Sequence, residues 1–151
     1  MKKLLSLTVF FCLALPTLSF SQTPLTKEEK VKAMYELNKK NIKTQDYSFI
    51  ASWMFSDDKR AEVSQNEKTI QISDSNIEGV LSQLETNKSS IELKGNMQNY
   101  NAEFDDAKHY ITVTFTIGVY NAVIEVKPNG NAFLTLNSNG KKIVHYRGFV
   151  K

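Results

Sequence analysis

Residues 109 to 126 read HYITVTFTIGVYNAVIEV. Ile111, Val113, Phe115 and Ile117 alternate with Thr112, Thr114 and Thr116. Successive side chains of a strand point to opposite faces, so a period of two predicts a strand with one apolar face. An isolated strand or hairpin is marginal in water and needs neighbours that cover that face. This stretch therefore restricts the chain to a sheet whose apolar side meets a packed core, a ligand-holding cavity or lipid.

The same period recurs along most of the sequence. Tyr47, Phe49, Ala51, Trp53 and Phe55 share one face of a first strand, and Ile70 and Ile72 mark a second. Ile91 and Leu93, then Tyr100, Ala102 and Phe104, precede the 109–117 strand. Tyr120 to Val126, Ala132 to Leu136 and about Lys142 to Val150 follow it. Turn-forming groups separate them: Asp57-Asp58-Lys59-Arg60, Ser73-Asp74-Ser75-Asn76, Asp105-Asp106-Ala107-Lys108, Pro128-Asn129-Gly130-Asn131 and Ser138-Asn139-Gly140. Residues 77 to 84 fit either a strand or a helical turn. Short turns between consecutive strands predict an all-β domain of about eight antiparallel strands in a curled up-and-down sheet, a small barrel or a sandwich. The last strand is read as an exposed edge, with Lys142 and Arg147 guarding it against pairing with other chains.

One helix precedes the strands. Thr26-Lys27-Glu28-Glu29 has the capping-box pattern, in which Thr26 and Glu29 satisfy each other's backbone donors. Val31, Met34, Tyr35 and Asn38 follow at helical spacing with Leu37 beside them, which predicts a helix near 27–41 packed on the sheet. Before it, Lys2 and Lys3 lead an apolar run from Leu4 to Leu18 that ends at Ser19-Phe20-Ser21. This order is that of a cleaved secretory signal over residues 1–21, leaving one domain over 22–151 and an exported protein, periplasmic or extracellular. Cys12 lies inside the apolar run after Phe11, so it reads as part of the signal and not as an acylation site.

Charge narrows the partners. Two of the 19 Lys and Arg residues, Lys2 and Lys3, lie in the leader, so the rest nearly balance the 16 Asp and Glu. Nucleic acid would need a basic surface, and none is expected as a partner. A transmembrane barrel needs strands of about 9–11 residues with aromatic girdles. The segments around Ile70–Ile72 and Ile91–Leu93 are shorter and flanked by charge, so the protein is not expected to be integral to a membrane after signal cleavage.

The C-terminal half carries further pattern. Ile91-Glu92-Leu93-Lys94-Gly95 is followed by Tyr100, and Val126-Lys127-Pro128-Asn129-Gly130-Asn131-Ala132 by Leu134-Thr135-Leu136-Asn137-Ser138. Tyr146-x-Gly148-x-Val150 closes the chain, and Phe49-x-Ala51 stands near its front. Together these resemble the family catalogued as domain of unknown function 4251, small secreted or lipid-anchored proteins of Bacteroidota. The resemblance spans roughly residues 30 to 151. It implies an envelope location and an unassigned role, and it brings no catalytic residues. Relatives carry a Tyr-Leu-Pro-Tyr-Phe-Gly-like segment, whereas residues 77 to 84 here lack its proline and both aromatics.

Motifs for chemistry are sparse. The sequence has no Gly-x-Ser-x-Gly elbow, Gly-x-Gly-x-x-Gly loop or Walker loop. His109 and His145 have no spacing that converges on a metal, even with Glu103 added. Asp57-Asp58 and Asp105-Asp106 fall in turns, and adjacent strand residues face opposite ways, so neither doublet makes an acid–base pair. The expectation is a non-catalytic protein with no metal and no cofactor. Two readings remain open: a binding module for a small apolar ligand or polymer, with Trp53, Phe55, Tyr100, Phe104 and Phe115 on an inner wall, or an interaction component that docks an envelope protein. Trp53 is expected to be largely buried, and the competing use of all these rings is to fill a solid core.

Overall fold

The computed structural model describes residues 24–56, 59–84, 90–138 and 141–151. The leader over 1–21 with Cys12, the Asp57-Asp58 doublet and the Asn139-Gly140 tip lie outside the described residues.

Helix α1 spans Lys27–Thr44, three residues beyond the expected end. The Thr26 hydroxyl accepts from the Glu29 amide at 3.2 Å, and the Glu29 carboxylate accepts from the Thr26 amide at 2.8 Å. Such a cap contributes about 1 kcal/mol. Gln45 ends the helix in the left-handed region at φ 51°, its amide returning to the carbonyls of Asn41 and Ile42. The buried stripe is Tyr35, Asn38 and Ile42. Met34 and Leu37, expected on or beside that stripe, are 44% and 55% exposed.

Ten strands follow: β1 (Asp46–Ser56), β2 (Lys59–Glu62), β3 (Lys68–Ser73), β4 (Asn76–Ser82), β5 (Ser90–Asn96), β6 (Gln98–Asp105), β7 (Tyr110–Ile117), β8 (Tyr120–Val126), β9 (Ala132–Ser138) and β10 (Lys141–Val150). The two beyond the expected eight are β2, which begins at Lys59 where the sequence predicts a turn, and β4, which makes most of the ambiguous 77–84 segment a strand. Asp74 and Ser75 make the β3–β4 turn, with Asp74 at φ 52°.

All pairings are antiparallel, and the sheet order is β5-β4-β3-β1-β10-β9-β8-β7-β6, with β2 also on β1. The chain thus meanders around a ring, and its first and last strands pair. The two sheet edges, β5 and β6, are joined through Met97 alone, so the ring nearly closes at that corner. Since β10 lies between β1 and β9, Lys142 and Arg147 do not guard an edge. The last strand is interior because closing the ring requires it to pair with the first.

Inside the ring lies one apolar cluster, and this is what the 109–126 pattern covers. Ile111, Val113, Phe115 and Ile117 are buried against Ala122, Ile124 and Val126 on β8 and Leu134 and Leu136 on β9. Thr112, Thr114 and Thr116 are half-buried on the other face.

Strand β1 departs from simple alternation. Tyr47, Phe49 and Ala51 face inward and are buried, but the register with β10 shifts between Ala51 and Trp53. Ser52 is the extra residue of a bulge, and one added residue sends each later side chain to the opposite face. Met54 therefore turns inward at 7% exposure, while Trp53 and Phe55 are only half-buried. Trp53 is not the core residue the alternation predicts. Across from the bulge, a Cβ on Gly148 would lie 1.9 Å from the Ile50 carbonyl oxygen, so β10 approaches β1 there at a distance only glycine allows.

Gly148→Ala is expected to destabilise the fold by about 1–3 kcal/mol through overpacking. Met54→Ala is expected to cost about 2–5 kcal/mol as a core truncation. Trp53→Ala should stay within about 2 kcal/mol, as for a residue outside the core. Urea unfolding followed by circular dichroism ranks the three.

Candidate functional site

The two ends of the barrel differ. At one end α1 closes it. The Tyr35 hydroxyl donates to the Asp106 carboxylate, and the Lys39 ammonium pairs with the same oxygen at 2.5 Å. Lys39 and Lys43 also lie over the Phe104 ring, at 5.9 and 5.4 Å. The Tyr100 hydroxyl donates to the Ile42 carbonyl at 3.3 Å and sits 3.4 Å from the Tyr47 hydroxyl. Burial pushes the Tyr35 and Tyr47 hydroxyls well up, keeping both protonated. Hydrogen bonds from Lys39 and Tyr35 hold the Asp106 carboxyl below the usual carboxylate range.

Away from α1, a cleft of about 630 Å3 is lined, among the described residues, by Met54, Glu62, Val63, Ser64, Gln65, Glu67, Ser82 and Gln83. The β2–β3 connection, 63–67, forms one wall and the end of β4 the other. The Ser82 amide donates to the Glu67 carbonyl at 3.0 Å, and its hydroxyl to the Glu67 carboxylate at 2.9 Å. From the core, the buried Tyr146 hydroxyl donates to the Ser82 carbonyl at 2.8 Å, so the wall is tied to β10. Met54 and Val63 supply an aliphatic floor, 7% and 8% exposed. Outside the same connection, a second groove of about 280 Å3 is lined by residues that include Trp53, Glu62, Gln65, Lys68 and Phe149.

The five rings expected on one inner wall are dispersed. Tyr100 and Phe115 are stacked at 6.5 Å, and Phe104 lies under the lysines of α1. The Ser52 bulge turns Trp53 and Phe55 outward. Trp53 lies under Arg60 at 5.6 Å, and Phe55 is 6.2 Å from His145, which itself stacks on Phe133 at 5.7 Å.

The histidines are also apart. His109 sits in the β6–β7 turn at φ 52°, edge-on to Tyr35 at 5.1 Å, and not on a strand. His145 Nδ1 shares a 2.7 Å hydrogen bond with Thr135 on the outer face. Glu103 bonds Asn101 on β6. Among the described residues, no three His, Cys, Asp or Glu side chains converge as metal ligands would. Asp105 accepts from the Lys108 amide at 3.0 Å within its own turn, while Asp106 reaches to α1, so this doublet is structural.

Sequence reasoning missed the mouth residues. The one available signal was the polar run Ser64 to Glu67, which forms a turn in which the Glu67 amide donates to the Ser64 carbonyl at 3.1 Å.

A nearly closed up-and-down barrel with one helix-capped end defines the class of protein. The profile of the family described as "Domain of unknown function (DUF4251)" matches residues 28–150, and the chain belongs to that family. Its fold is similar to the crystal structure of a DUF4251 family protein from Bacteroides eggerthii DSM 20697, with a TM-score of 0.67 and 14% identity over 79% of this chain and 87% of that one. No curated protein matches the chain. No described helix is long and apolar enough to cross a membrane.

A carboxylate whose folded pKa is lowered contributes stability above its unfolded value, and that stability is lost as pH falls through the folded value. The α1 clamp is thus expected to weaken on acidification below about pH 4, the ordinary aspartate range. Asp106→Asn should flatten this part of the curve, read as urea midpoints between pH 3 and 7.

Proposed function

We propose that the protein is an exported, non-catalytic binding module of the cell envelope that holds a segment of a polymer in the cleft between the β2–β3 connection and the end of β4. The observation that carries this reading is the 630 Å3 cleft, with its aliphatic floor and its rim of serine, glutamine and glutamate groups. Ligand sites commonly measure about 300–1,000 Å3 and occur at barrel mouths. The polar rim favours a hydrogen-bonding occupant over the small apolar ligand of the alternative form of this reading. The signal-like residues 1–21 support export. A second reading, docking of an envelope protein on the outer face, is favoured by Phe149, which is 43% exposed beside Trp53.

Native mass spectrometry of the protein purified from its own envelope fraction tests the first reading. An added mass is expected that denaturation releases and that Ser64→Tyr, which fills the cleft from an exposed loop position, abolishes. A bare mass for the unaltered chain, or an adduct that Ser64→Tyr retains, overturns it.

A further inference from the structure

Strand β2 continues the path of β3 along β1, and β4, the other neighbour of β3, ends at Ser82. Among the described residues β2 pairs with β1 alone. The Val63 amide donates to the Ser52 carbonyl at 3.1 Å, which fixes the alternation of the β1–β2 ladder. Ala61 then faces β1 with its backbone groups, and those of Arg60 and Glu62 point to the open side. This edge borders the mouth cleft, which Glu62 itself lines.

The cleft has a defined charge. Among the described residues its lining contains two carboxylates, Glu62 and Glu67, and no cation. Among the described residues the Glu62 side chain has no hydrogen bond or ion pair, and the Glu67 carboxylate accepts from the Ser82 hydroxyl alone. The nearest lysine in sequence, Lys68, donates to Gln65.

Resting on the binding reading above, we propose that the occupant is an extended, lysine-containing peptide that adds as a strand to the edge of β2 that no described strand occupies. Its backbone pairs with the outward groups of Arg60 and Glu62, the mode by which peptides extend exposed sheet edges. Alternate side chains then enter the cleft. A lysine stem lies on Met54 and Val63, since such stems bury well while the charged end stays at a polar rim. Its ammonium meets the Glu67 carboxylate, and Glu62 at the rim adds attraction. The backbone edge supplies affinity and the two carboxylates supply the choice of side chain.

Calorimetric titration of the protein tests this with eight-residue acetylated and amidated peptides of alternating valine and threonine carrying one central lysine, glutamine or glutamate. Lysine is expected to bind about tenfold more tightly than glutamine, and glutamate to be weakest, as a charge-assisted hydrogen bond requires. Glu67→Gln should reduce the lysine preference to about twofold or less, and Glu62→Gln should reduce it in part. N-methylation of the peptide backbone next to the lysine should abolish binding by blocking the ladder. Equal binding of lysine and glutamine peptides, unchanged binding after N-methylation, or binding of a β-linked oligosaccharide in place of all the peptides overturns the proposal. If none of the peptides binds while the Ser64→Tyr-sensitive adduct is present, the peptide proposal fails and the cleft-binding reading stands. If the adduct is also missing, both fail.

Discussion

Pairing of the first strand with the last is the constraint on which the rest of the structure depends. Without β1 against β10, the two meanders, β3-β4-β5 and β6 to β9, would be separate small sheets, each with one uncovered apolar face. With it, both faces turn toward a common interior, and the apolar side chains of each strand are covered by the others. Burial of this kind is the main favourable term in folding. The closure is tight: Gly148 lies against the Ile50 carbonyl, and β1 accommodates the approach by bulging at Ser52.

That bulge links the fold to the candidate site. It hands the inward position from Trp53 to Met54, so the floor of the mouth is a flexible aliphatic side chain and the ring stands outside. It also lies where β1 passes from β3 to β2, which places the 63–67 connection beside the cleft. The barrel is consequently asymmetric. Its helix end is closed by an aspartate clamped between a tyrosine and a lysine. Away from the helix, among the described residues, the Glu67 carboxylate bonds Ser82 alone and the Glu62 side chain has no partner.

Much of the architecture was legible in local pattern. The capping box placed the helix start, the Pro128–Asn131 turn formed with Gly130 at φ 81°, and the alternation of 109–126 gave β7 and β8 their buried faces. Each depends on residues within a few positions of one another. The helix stripe was half legible, because Tyr35 and Asn38 were identified while Met34 and Leu37 proved exposed. Helical spacing states which residues share a face but not how that face is rotated onto the sheet.

The sequence by itself determined the class of fold: one helix, an antiparallel meander and a family resemblance that the matching profile shows. It did so because propensity, turn chemistry and side-chain period are local properties of the backbone. The tertiary structure decided that β10 is interior, that Ser52 is an extra residue in its ladder, and that Glu67 is hydrogen-bonded to Ser82 beside a cleft that Ser64 also lines. Those outcomes depend on which strands become neighbours and in what register, a non-local choice set by closing the ring. A single inserted residue at the bulge was enough to reverse the face of Trp53 and Phe55.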